Sequence, residues 1–178
     1  MSADFTEVVE RYIILLIGAD NNPVPSIWHI QKELFILSQV NPKAQDFLKF
    51  EKHYNGAYSQ VIQELIQEPV NFDDAIDISK QGFLLTEKGK GIFDEITSKN
   101  KTERFIQFLS SIKLIRRTYD KLAVDELLLL MYVTYPSFTE LSNISNALLE
   151  GATKKKLLGR LLEKKILSEQ RYAEISGD

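Results

Sequence analysis

Phe5, Val8, Val9, Tyr12, Ile13 and Leu16 recur at the three-and-four spacing of one helix face, which predicts an amphipathic helix over residues 4–17. Asp20-Asn21-Asn22-Pro23 breaks that pattern. Ser26 then stands as an N-cap before residues 27–38, where Ile27, Ile30, Leu34 and Leu37 form a stripe and Trp28, Phe35 and Ile36 widen it. A helix that is apolar around most of its circumference belongs in the middle of a fold. After Asn41-Pro42 the period changes. Residues 47–52 alternate as a short strand, and Asn55-Gly56 supplies a turn. Ser59 opens a helix over 59–68 that buries Val61, Ile62, Leu65 and Ile66, and Pro69 stops it. Residues 75–78 and 82–86, joined by Ser79-Lys80-Gln81, predict a two-stranded wing. This order of helices and hairpin is that of a winged helix.

The remaining pattern is helical. Thr86 caps a helix whose first turns carry Gly89 and Gly91, both weak helix formers. Further helices are predicted over 102–117, 124–134, 141–149, 153–165 and 169–175. Strand content ends near residue 99, and charge changes sign there. The 178 residues carry a net charge of −3, divided as −7 over 1–98 and +4 over 99–178. The expected architecture is therefore mainly α with a small β wing: a winged helix-turn-helix domain over 1–98 and a helical C-terminal module over 99–178. A polyanion would prefer the second half. Cysteine is absent, which excludes disulfides, thiolate nucleophiles and Cys-ligated zinc. The longest apolar run, residues 127–133, is far short of a membrane span, and the first residues bring acids instead of a basic leader. No membrane association and a cytoplasmic location are expected.

Three short motifs carry a family resemblance: Ile30-Gln31-Lys32, Tyr54-Asn55-Gly56-Ala57-Tyr58-Ser59 and Leu85-Thr86-Glu87-Lys88-Gly89. In this stretch the chain resembles small prokaryotic winged-helix proteins of the SocA/Panacea antitoxin type and YwgA-like proteins. The family pattern has Tyr-Gly-Pro-Tyr-Ser. Here Ala57 replaces the proline, and Asn55 is extra between Tyr54 and Gly56. The resemblance implies regulation by binding DNA or a protein partner, without catalysis and without a cofactor.

The residues themselves divide the binding options. In the recognition-helix position, Gln60, Gln63, Glu64 and Gln67 form the outer face together with Glu68. Glutamine can pair with adenine, but this face has no cation to hold phosphates, and Asp73, Asp74 and Asp77 precede the single Lys80 of the wing. Contact with a basic protein partner, or a bare structural role, fits this face better than DNA. For duplex DNA the candidates are Lys155, Lys156, Arg160 and Lys164 on the helix over 153–165, opposite its leucine stripe, joined by Lys113 and Arg117. Starting that helix at Thr153 places Lys154–Lys156 at the positive dipole end, where cations cost stability. Arg116 lies near the apolar rim of its helix and is read as paired with an acid at a helix contact. His29 and Glu33, four apart, are half of a metal site at most, and no third ligand is evident. No nucleophile–base–acid set has recognisable spacing. A homodimer is expected by analogy with helical regulators of this kind.

Overall fold

The structure, a computed structural model, describes residues 3–177. They are mainly helical, with two small antiparallel sheets of two strands each. In chain order the elements are α1 (Ala3–Gly18), α2 (Ile27–Val40), α3 (Pro42–Leu48), β1 (Glu51–His53), β2 (Gly56–Tyr58), α4 (Gln60–Gln67), β3 (Ile76–Ser79), β4 (Gly82–Leu85), α5 (Glu87–Lys99), α6 (Glu103–Tyr119), α7 (Val124–Thr134), α8 (Ser145–Leu149), α9 (Gly151–Glu163) and α10 (Glu169–Ser176). A 3-10 turn, Pro136–Thr139, follows α7. None of these helices is long and apolar enough to cross a membrane.

The elements form two compact units. The first is Met1–Phe50 with Ser59–Asp120, and the second is Glu51–Tyr58 with Lys121–Asp178. This division differs from the expected 1–98 and 99–178. The helix after residue 99, α6, buries Ile112, Ile115 and Arg116 in the first unit, so its packing outweighs the change in charge sign. Recounting charge by unit alters the electrostatic picture. The second unit holds nine Lys/Arg and nine Asp/Glu, hence no net charge, and the −3 resides in the first.

In the first unit, Val9, Ile13 and Leu16 of α1 meet Ile30, Leu34 and Leu37 of α2, Ile62 and Leu65 of α4, and Ile112 of α6 in one core. Ser26 caps α2 by accepting from the His29 N–H. Val24 exchanges backbone hydrogen bonds with Phe83 at 3.0 and 2.9 Å, adding a one-residue third strand to the β3–β4 wing. Gly82 makes this possible. Its φ is +121°, and a Cβ there would lie 2.2 Å from the Val24 carbonyl oxygen.

The strand expected over 47–52 begins too early. Asn41 accepts from the backbone N–H groups of Lys43 and Ala44, and Pro42 occupies the first helical turn. The dipeptide that ends α2 therefore starts α3, which buries Ala44 and Leu48 at i and i+4. The chain extends only at Glu51.

The second unit holds the β1–β2 hairpin, with His53 opposite Gly56. Gly56 has φ +78°, and a Cβ on it would approach Tyr132 to 3.0 Å. Leu127, Leu128, Met131 and Tyr132 of α7 are buried, as are Leu157, Leu158 and Leu161 of α9. The helix expected over 141–149 shortens to α8, and Gly151 at φ +59° separates it from α9.

Candidate interaction surface

α4 presents the face that its sequence foretells. Val61, Ile62, Leu65 and Ile66 are buried, Gln60, Glu64, Gln67 and Glu68 are exposed, and Gln63 is half-buried. Gln60 Nε2 donates to Glu64 Oε1 at 2.9 Å. The helix is anchored from behind by a side chain of α2. Gln31, fully buried, donates through Nε2 to the Ser59 carbonyl and accepts from the Ser59 N–H, both at 2.9 Å. Ser59 does not cap with its hydroxyl; Ser59 Oγ donates to the Leu48 carbonyl instead. From α1, Glu10 accepts from the backbone N–H groups of Val70 and Asn71 and from Asn71 Nδ2, holding the loop between α4 and the wing.

Asp73, Asp74 and Asp77 are exposed at the base and along the edge of the wing, and Lys80 is the one cation of its turn. Thr86 closes the wing. Its hydroxyl donates to the Asp74 carbonyl at 2.6 Å and accepts from the Gly89 N–H at 3.1 Å, capping α5. Gly89 lies against β3, where a Cβ would come within 2.1 Å of the Ala75 carbonyl oxygen. Its sequence cost to α5 is thus the condition for α5 to seat under the wing. Gln31, Ser59, Thr86 and Gly89, from the motifs behind the family resemblance, all act here as fasteners of the first unit.

The candidate DNA contacts divide. Lys113 and Arg117 are exposed on α6, with Arg117 3.5 Å from Asp20. Lys155 and Lys156 are exposed on α9, while Arg160 is half-buried and 3.6 Å from Asp125. Lys164 serves the fold instead, since its ammonium lies 2.5 Å from Glu126 and 2.8 Å from the Lys121 carbonyl. Glu126 is 1% exposed and also accepts from the Ala123 N–H, so this cation neutralises the buried carboxylate that caps α7. α9 begins at Gly151, two residues before the expected start, which moves Lys154–Lys156 into its second turn, beyond the reach of most of the dipole penalty.

Beneath the surface, α2 and α6 share a polar cluster. Arg116 is fully buried and donates through Nε to Asp120 at 2.8 Å, through Nη1 to the Leu16 and Ile17 carbonyls, and through Nη2 to the Asn22 carbonyl. The close acid partner of Arg116 is Asp120 at the end of its own helix, not the acid expected across a helix contact. Glu33 is equally buried, 3.8 Å from Arg116 Nε, and neither of its oxygens is hydrogen-bonded to a described residue. Burial raises the Glu33 carboxyl well above its ordinary range, and the nearby Asp120 raises it further. Asp120 is also raised, by burial, against the lowering effect of Arg116. His29 Nδ1 pairs with Ser26 Oγ at 2.8 Å. Among the described residues no three His, Cys, Asp or Glu stand close enough to hold a metal ion. Lys32, buried near Trp28, has its ammonium lowered to about 7 by desolvation.

These shifts fix a pH dependence. Glu33 is raised in the folded state, so above about 4.5 the native chain holds a proton that the unfolded chain has released, and stability falls as pH rises. Lys32 acts oppositely. It releases its proton near 7 when folded and near 10.5 when unfolded, so stability rises between those values. Glu33→Gln should therefore gain stability over the natural chain as pH moves from about 5 to about 8. Urea unfolding at both pH values reads this, and an unchanged difference would show Glu33 to be ionised when folded.

No family model and no curated protein matches the chain.

Proposed function

We propose that this protein is a non-enzymatic winged-helix regulator that acts by binding, and that its α4 and wing face takes a basic protein partner. The observation that carries this reading is the exposed, cation-free face of α4, with Gln60, Glu64, Gln67 and Glu68 side by side and three aspartates flanking the wing. A duplex docked there would meet carboxylates where a DNA reader supplies Lys or Arg. The resemblance to SocA/Panacea-type antitoxin domains supports the same reading. A cytoplasmic location is part of the same reading. Mass spectrometry of proteins co-purifying from native lysate is expected to find a basic partner. Glu64→Lys with Gln67→Lys and Glu68→Lys is expected to lose it while keeping its unfolding midpoint. Equal recovery by this variant removes the α4 face from the reading.

Duplex DNA binding is the second reading, supported by Lys113 and Lys156, which are exposed and have no carboxylate partner among the described residues. It requires a steep salt dependence that Lys155→Glu, Lys156→Glu and Arg160→Glu weaken. Unchanged anisotropy of labelled duplex DNA at low salt eliminates it. The homodimer reading rests on Ile106 and Leu114 of α6, exposed at 56% and 67%. Sedimentation at the mass of one chain would remove it.

A further inference from the structure

The first unit contains an open pocket of about 330 Å³ whose lining includes no residue of the α4 face or of the polar cluster around Arg116. This is within the size range of small-molecule sites. The apolar part of its lining is half aromatic. Tyr12 and Phe108 meet edge to face at 6.0 Å, Phe105 lies 6.1 Å from Phe108, and Val8, Leu15 and Ile96 complete the lining. Asn41, Asn100 and Thr102 bring polar side chains to the same lining. The Tyr12 hydroxyl is hydrogen-bonded to no described residue, and burial, with the charge of Asp46, holds it above its ordinary pKa. It is therefore a neutral donor at physiological pH.

The rim is cationic. Arg11, Lys43 and Arg104 all border the opening. Arg11 is tied to Glu7 at 2.6 Å, whereas Lys43 and Arg104 have no carboxylate partner among the described residues and are exposed. Aromatic walls beside two cations that make no ion pair with a described residue, with the Tyr12 hydroxyl and the Asn41, Asn100 and Thr102 side chains as further polar groups, suit a flat apolar body with a single negative head. A neutral ligand would leave the cations unanswered, and a polyanion such as a nucleotide would strand its charge against Phe105 and Phe108.

We propose that this cavity binds a small aromatic carboxylate, its ring against the exposed faces of Tyr12, Phe105 and Phe108 and its carboxylate on Arg104 and Lys43. This gives the regulator a small-molecule effector site on α1, α3, α5 and α6, independent of which macromolecule α4 binds.

Calorimetric titration of the full chain with 2-naphthoate tests it. One saturable site per chain is expected, with a dissociation constant on the order of 0.1 mM for a ligand of this size. The isosteric alcohol 2-naphthylmethanol should bind at least roughly tenfold more weakly, as should 2-naphthoate to Lys43→Glu/Arg104→Glu. Both substituted positions are exposed, so the fold is retained. Val8→Trp, which fills the cavity from a half-buried position, should abolish binding with the unfolding midpoint kept. The absence of saturable binding, equal affinity for the alcohol, or unchanged affinity in the charge-reversed variant overturns the proposal.

Discussion

Arg116→Met is expected to lower the unfolding free energy by about 3–5 kcal/mol, the usual cost of removing one partner from a buried ion pair. Methionine fills much of the volume but donates nothing. The Leu16, Ile17 and Asn22 carbonyls lose their side-chain donor, and Asp120 faces the raised Glu33 carboxyl with no cation between them. Arg116→Lys should recover little, because one ammonium cannot reach four acceptors in the planar fork that guanidinium spans. Denaturant unfolding measures both. A loss below about 1 kcal/mol for Arg116→Met would mean that water reaches these carbonyls and that the cluster is not a structural hub.

Gly89→Ala is the second large effect, expected to cost about 3 kcal/mol because the added methyl meets a backbone oxygen that cannot yield without moving β3. Gly91 provides the control within the same helix. Nothing lies within 4 Å of a Cβ there, so Gly91→Ala should stabilise by about 0.5–1 kcal/mol through helix propensity alone. Thermal unfolding of the pair separates the two roles of glycine, with midpoints moving in opposite directions. Equal shifts of one sign would refute the contact argument.

The mainly helical fold with its small wing is readable from periodicity, because α1, α2, α4 and α6 each place a continuous apolar stripe on one face. Ser26 and Thr86 are legible caps for the same local reason, whereas Ser59, read as a cap, turns its hydroxyl to Leu48. What escapes the sequence depends on partners far along the chain. Asn41-Pro42 can end one helix or begin another, and only the burial of Ala44 and Leu48 decides that it does both. By spacing alone, Glu33 joins His29 as half a metal site. The better signal is its place on a helix with almost no polar side, which leaves a carboxylate no route to water and so calls for a proton or a cation. Lys164 looks like a surface charge in the sequence because Glu126, its partner, lies 38 positions away. The pocket lined by Tyr12 and Phe108 has no linear signature at all, since α1, α3, α5 and α6 contribute its walls.

The eight residues Glu51–Tyr58 interrupt the first unit yet belong to the second. A fragment ending at Asp120 therefore carries a hairpin without the helices of its own unit, and one starting at Lys121 lacks that hairpin, with Tyr132 deprived of the Gly56 turn. Neither unit is a contiguous stretch that a single cut in the gene can release. A single crossover anywhere between the ends of the chain therefore divides at least one unit, so one such exchange never hands on either unit alone and intact.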